Sequence, residues 1–194
     1  MLSSRCISVF LILGIAPGLL AQSPSVKTST IAVNNEFIQK QFGATCSLMA
    51  GPPTYTADLD GDGTEDAVIV AKCTNPLIDE TENNFKVVDP YNSFFGYGDT
   101  KATSQFASED PLARSRVLLI IHGAGPEAWR SATPKAKFVI INLPFKQITV
   151  RKLIVKKKPV MAIYAEETSA DQMTSAIFWD GKKYRYQPLG AGLE

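Results

Sequence analysis

The chain has 194 residues, of which 45% are hydrophobic and 20% are charged, and its formal net charge is +1. This length and apolar content suit one domain with a sizeable core, since domains commonly span about 100–150 residues. A charge so close to balance argues against nucleic acid or a membrane surface as a partner bound by bulk electrostatic attraction.

The N-terminal segment, residues 1–21, has the features of a secretory signal peptide. Arg5 supplies the basic region, Val9 to Leu20 form the apolar region, and Ala21 provides a cleavage site. The apolar run is shorter than the roughly 20 residues of an ordinary transmembrane helix. We therefore expect an exported protein, periplasmic or extracellular, with an uncleaved membrane anchor as the alternative.

The mature chain is expected to begin with a flexible lead-in at 22–32, followed by one β-rich domain at 33–194. Its first element is predicted to be a short helix. Asn34 is a typical N-cap residue, and Gly43 is typical of the position after a helix end. The apolar residues between them fall on one helical face, which we expect to pack on a sheet; they are Phe37, Ile38 and Phe42.

Two cysteines, Cys46 and Cys73, remain once the signal peptide is removed. In an oxidising compartment an isolated pair most often forms a disulfide. This bridge would enclose residues 46–73, and it would stabilise the fold by about 3 kcal/mol on the chain-entropy account.

The segment enclosed by the cysteines contains the most informative pattern, DLDGDGTED at residues 58–66, directly before an apolar strand. Alternating carboxylates can surround one hard cation such as calcium, and the glycines between them permit a tight turn. An EF-hand is disfavoured, because its twelfth ligand position would be Ile69, inside the strand. The alternative is an acidic turn that binds no ion. The candidate ligands are Asp58, Asp60, Asp62, the backbone carbonyl of Thr64, and Asp66.

The stretch from Thr56 to Ala71 resembles the calcium-binding core of an FG-GAP or VCBS-type repeat. Those repeats form the blades of integrin-like β-propellers, and their loops carry Asp-x-Asp/Asn-x-Asp-Gly-x-x-Asp before an apolar strand. The resemblance implies a structural calcium ion held by the ligand set given above. It implies no single activity, since such loops occur in adhesins, lectin-like modules and enzyme appendages. A propeller typically needs at least four blades, whereas this chain has one such loop, so a complete propeller is not expected.

Strand patterns dominate the remaining sequence. Three continuous apolar runs predict central strands covered on both faces, and the DG pair at 180–181 predicts a C-terminal hairpin. Residues 74–114 match no clear element pattern. We expect an α+β domain, mostly antiparallel, with one helix on a sheet of about six to eight strands. The predicted strands are 68–71, 117–121, 138–141, 148–155, 160–165, 176–179 and 184–186.

The leading functional hypothesis is an exported, non-catalytic binding or structural module whose partner is an unidentified protein or polysaccharide. One alternative is a small exported hydrolase that uses His122, the only histidine, with a loop carboxylate such as Glu127 in a cleft near Trp129. The commoner explanation is that His122 simply ends a strand that is followed by a glycine-rich turn.

Two further segments leave alternatives open. An adhesion or assembly subunit would expose the loop aromatics Phe94, Phe95 and Tyr97, which could equally fill a core. The basic residues at 151–152 and 156–158 could contact an anion or a polysaccharide, although a lysine-rich turn also protects a sheet edge from aggregation. We interpret Lys156 to Pro159 as the turn of a solvated hairpin.

Overall fold

The structure, a computed structural model, describes residues 33–96, 115–168 and 173–191. The expected signal peptide, the lead-in and Tyr97 lie outside the described residues. Within the described ranges, ten strands form two sheets.

The first sheet contains six strands in the order β1-β3-β5-β6-β4, with β2 alongside β3. Only β4 and β6 are parallel within this sheet, and its other pairs are antiparallel. Its strands are β1 (Cys46–Leu48), β2 (Tyr55–Ala57), β3 (Asp66–Cys73), β4 (Lys86–Val88), β5 (Arg116–His122) and β6 (Ala136–Ile140).

The second sheet is a four-stranded antiparallel meander in the order β10-β9-β8-β7. The turn between β7 and β8, the first two strands of this sheet along the chain, is tighter than predicted. Val155 already pairs with Lys158, so only Lys156 and Lys157 remain in the turn. Its strands are β7 (Phe145–Val155), β8 (Lys158–Glu167), β9 (Met173–Trp179) and β10 (Tyr184–Ala191).

The predicted helix is present as α1 (Asn35–Phe42). The Asn34 side chain accepts a hydrogen bond from the Phe37 N–H at 2.8 Å, and Gly43 follows the last turn as expected. In its described part, residues 74–96, the segment without a clear pattern contains two short helices and β4, and a 3₁₀ segment follows β5. These elements are α2 (Pro76–Asp79), α3 (Pro90–Phe94) and the 3₁₀ segment Gly125–Arg130.

The first sheet has a hydrophobic core on each face. On β5, Leu118 and Ile120 pack in the core shared with the second sheet, whereas Leu119 and Ile121 point to the core beneath α1. All four are fully buried, which explains why β5 is a continuous apolar run rather than an alternating one. The prediction of an α+β, mostly antiparallel fold is confirmed. The strands are more numerous than expected and divide between two packed sheets.

The predicted disulfide joins Cys46 and Cys73, whose Cα atoms are 4.1 Å apart. These residues are directly opposite one another on β1 and β3. The bridge therefore ties an edge strand to the strand that leaves the acidic loop. Among the helices of the described ranges, none combines the length and apolar character that crossing a membrane requires.

Candidate metal centre

The acidic loop connects β2 to β3, and the antiparallel pairing of these strands determines its geometry. Ala57 lies opposite Asp66, so the first and last carboxylates of the loop are brought to the same place. Oxygen atoms of Asp58, Asp60 and Asp66 lie within 4.8 Å of one another. These side chains could hold a metal ion.

Asp58 organises the turn of the loop. Its carboxylate accepts N–H hydrogen bonds from Gly61 at 2.8 Å and from Gly63 at 2.9 Å. Both glycines have left-handed backbone conformations, with φ of 78° and 86°, which explains why the sequence places glycine at these positions.

Asp66 connects the loop to the neighbouring strand. It is 1% exposed, and its two oxygens accept the N–H groups of Leu59 and Gly123, each at 2.8 Å. Burial raises the pKa of Asp66 to about 6, although both N–H groups favour the charged form, and the nearby Asp60 raises it further. A bound cation would compensate this buried charge.

Asp60 lies between a histidine and a lysine. Its side chain is only 4% exposed, and Oδ2 is 3.3 Å from His122 Nδ1 and 2.7 Å from Lys135 Nζ. The same ammonium group is 2.6 Å from Asp62 Oδ2. This hydrogen bond from Lys135 lowers the pKa of Asp62 to about 2, and the two carboxylates raise the pKa of Lys135. Lys135 thus pairs with both Asp60 and Asp62, and Asp62 is not part of the cluster formed by Asp58, Asp60 and Asp66.

His122 is packed inside the protein at 1% exposure. Its Nε2 is 2.6 Å from the Tyr184 hydroxyl oxygen, and its ring lies 5.2 Å from that of Trp179. Burial lowers the pKa of His122, and the adjacent Asp60 carboxylate opposes this effect. The carboxylate beside it is Asp60, whereas Glu127 is exposed. This arrangement gives no support to the hydrolase hypothesis, which pairs His122 with Glu127.

The loop after β5 packs directly on the acidic loop. The Trp129 indole N–H donates to Glu65 Oε1 at 2.9 Å, and the Trp129 backbone N–H donates to the Glu65 carbonyl oxygen at 3.1 Å. A Cβ atom on Gly123 would come within 2.4 Å of that same carbonyl oxygen, so only glycine permits this approach. Trp129 is 3% exposed and belongs to the core rather than to a binding surface.

A cleft of about 1050 Å³ adjoins the acidic loop. Residues 58–61 form one wall, and the ends of the two hairpins of the second sheet form the other. The second wall is lined by Trp179 and by basic side chains, namely Lys152, Lys156, Lys158 and Arg185. The lysine-rich turn thus borders a concave surface.

Two of the three loop aromatics noted in the sequence, Phe94 and Phe95, lie in the described part of the structure. Phe94 and Phe95 are 50% and 44% exposed, and their ring centroids lie 5.3 Å and 6.3 Å from that of Tyr186. They form an exposed aromatic patch beside β10. The third ring, Tyr97, is outside the described residues.

Comparison with protein-family models, curated proteins and solved structures found no match for this chain. The chemistry of the site therefore rests on its own donor set. Clustered carboxylates suit hard cations such as calcium and magnesium, whereas softer metals prefer thiolate or imidazole. Both cysteines of the described chain are in the disulfide, and both ring nitrogens of His122 face protein partners. The residues present fit a hard divalent cation.

Proposed function

We propose that the protein is an exported, non-catalytic binding or structural module that binds one calcium ion in the acidic loop. The observation that carries the proposal is the convergence of carboxylate oxygens from Asp58, Asp60 and Asp66 within 4.8 Å. Asp62 and the Thr64 carbonyl complete the ligand set. The disulfide supports the assignment to an oxidising, extracytoplasmic compartment.

The ion has a structural role in this proposal. It neutralises carboxylates that the fold places close together, one of which, Asp66, is almost fully buried. Because calcium binds the folded loop only, it stabilises the fold by about 2.7 kcal/mol at 100 times its dissociation constant. Extracellular modules commonly bind calcium at about 0.1–1 mM, which suits a permanent ion rather than a signal.

Lys135 is the protein's own counter-charge for this loop. Its ammonium contacts Asp60 and Asp62 at 2.7 and 2.6 Å, so calcium has to displace it to reach both carboxylates. The lysine therefore weakens the apparent calcium affinity. It also keeps the loop ordered when calcium is scarce.

Thermal unfolding in calcium and in excess chelator tests the proposal. Calcium is expected to raise the unfolding midpoint of the native protein but not that of Asp60→Ala, which loses a central ligand. Glu82→Gln removes the same charge from an exposed position outside the loop and should respond to calcium like the native protein. Identical midpoints in calcium and chelator for the native protein would refute the calcium site.

A role as an adhesion or assembly subunit is a second candidate, favoured by the exposure of Phe94 and Phe95. Exposed aromatic patches of this kind commonly mark protein interaction sites. The double variant Phe94→Ser/Phe95→Ser should then lose self-association or partner capture in sedimentation experiments while keeping its unfolding midpoint. Unchanged association of the variant would remove this candidate.

A further inference from the structure

The cleft beside the acidic loop exists because one hairpin of the second sheet is longer than its neighbour. Strand β8 pairs with β9 only from Ala162 onward, whereas its residues Lys158 to Met161 pair with β7 alone. The end of the β7–β8 hairpin therefore projects beyond β9 as a two-stranded ribbon. Residues 58–61 lie across from this ribbon, and the space between them is about 1050 Å³.

The ribbon side of the cleft is strongly basic. Lys152, Lys156 and Lys158 line it, all of them exposed, and none has an ion-pair partner among the residues that the structure describes. Arg185 lines the same wall and uses its Nε on Asp180 at 2.5 Å. Lysines without ion-pair partners favour an anionic ligand on this side of the cleft, whereas Asp58 and Asp60 line the other side.

Apolar side chains also line the cleft. Trp179 and Met161 line it, and Trp179 is fixed by contacts with other rings, including Phe138 at 5.3 Å between centroids and Tyr184 at 5.2 Å. A fixed indole offers a flat surface to the apolar C–H face of a sugar ring, at little cost in side-chain entropy. At about 1050 Å³ the cleft is at the upper end of the range of about 300–1,000 Å³ for ligand pockets, so it has room for more than one sugar ring.

We propose that this cleft binds an acidic carbohydrate chain of the uronate class. Its carboxylates contact the lysines of the ribbon, and one sugar ring stacks on Trp179. The inference rests on the proposed function in one respect: calcium held by the acidic loop removes negative charge from the opposite wall, which strengthens binding of an anionic chain. An acidic peptide fits less well, because Pro159 interrupts the free edge of β8 and offers no N–H to an added strand.

The first test is a titration of the protein with a hexamer of galacturonate in the presence of calcium, in which binding is measured by calorimetry and by tryptophan fluorescence. Saturable binding with a fluorescence change is expected, and Trp179→Phe should abolish the change. Lys156→Gln/Lys158→Gln should weaken binding about tenfold, or roughly 1.4 kcal/mol. Lys40→Gln/Lys146→Gln removes two exposed lysines outside the cleft and should change the affinity less than about twofold.

Three results would overturn the inference: no binding of the hexamer, equal binding of neutral maltohexaose, or equal binding of poly-glutamate. The calcium proposal is judged separately by the unfolding midpoint. If calcium stabilises the protein but the hexamer does not bind, the carbohydrate inference is refuted and the calcium proposal stands. The hexamer could also bind with equal affinity in calcium and in chelator, and depend on the lysines in both. That result supports the cleft as the binding site and refutes the idea that bound calcium strengthens binding.

Discussion

At the scale of single residues, the carboxylates of the acidic loop have distinct local tasks. Asp58 accepts backbone N–H groups within the loop, Asp66 accepts N–H groups at the loop's base and from Gly123, and Asp60 faces His122 and Lys135. The spacing of the aspartates predicted their convergence, because alternate positions of a glycine-containing turn point inward. It could not predict Lys135, which is 75 residues from Asp60 in sequence and meets it only through the sheet.

Replacing Lys135 with methionine tests its role as a counter-charge. In chelator, Lys135→Met should lower the unfolding midpoint, because Asp60 and Asp62 lose the ammonium that neutralises both. In calcium, the ion should restore the midpoint, and the calcium affinity should rise because nothing competes for these carboxylates. Lys146→Met serves as the control on an exposed strand position. An unchanged calcium response in Lys135→Met would show that the lysine does not compete.

A pH dependence is expected from Asp89, which caps α3 by accepting the Asn92 N–H at 2.9 Å. Burial raises the pKa of Asp89 above its usual 3.8, and Asn92 Oδ1 nearby is buried without a hydrogen-bond partner among the described residues. The Asp89 carboxyl group thus binds its proton more tightly in the folded protein than in the unfolded chain. The stability contributed by Asp89 is full below pH 3.8 and is lost as the pH rises through the raised pKa.

Comparison of native protein with Asp89→Asn isolates this effect. The difference in unfolding free energy, native minus variant, should fall as the pH rises above 3.8 in urea denaturation series. Other titrating groups cancel in that difference. A difference that is constant or that rises with pH would contradict the assignment.

At the scale of elements, long and strongly patterned segments were predictable and short ones were not. The cap at Asn34, the apolar run of β5 and the C-terminal hairpin all follow from local chemistry. Strand β4 has three residues, α2 has four and α3 has five, too few for any period to be visible. Strand β4 pairs with β6 and α3 packs on β10, and both contacts are tertiary information.

The β7–β8 turn contains a correctable strain. Lys156 and Lys157 have positive φ values of 49° and 67°, and a two-residue turn with both φ values positive strongly prefers Asn-Gly. Lys157→Gly should therefore stabilise the fold by roughly 0.5–1 kcal/mol in denaturant unfolding. Lys152→Gly, at a paired position inside β7, should instead destabilise it. Equal losses from both substitutions would show that the turn is not strained.

At the scale of the whole molecule, the acidic loop and the disulfide lie at opposite ends of β3, with the loop ending at Asp66 and the bridge at Cys73. Cysteine counting predicted the bridge, because only one pairing is open to two cysteines. The division into two sheets was not predicted, since an apolar run shows that a strand is covered but not by which layer. The cleft was equally invisible, because it depends on the relative lengths of β8 and β9 in the assembled sheet.

The contribution of the bridge can be measured with Cys46→Ala/Cys73→Ala. We expect a loss of about 3 kcal/mol in unfolding free energy, because the bridge restricts the unfolded chain. Reductant should lower the stability of the native protein by a similar amount and leave that of the variant unchanged. A variant as stable as the oxidised native protein would contradict this expectation.

Direct calcium binding tests the central claim most immediately. Calorimetric titration of the purified protein should show one saturable site with a dissociation constant of about 0.1–1 mM, the range of extracellular modules. Asp60→Ala should abolish the binding, and Glu82→Gln should retain it. If the native protein shows no saturable binding up to about 10 mM calcium, well above that range, the acidic loop is a turn neutralised by Lys135 and not a calcium site.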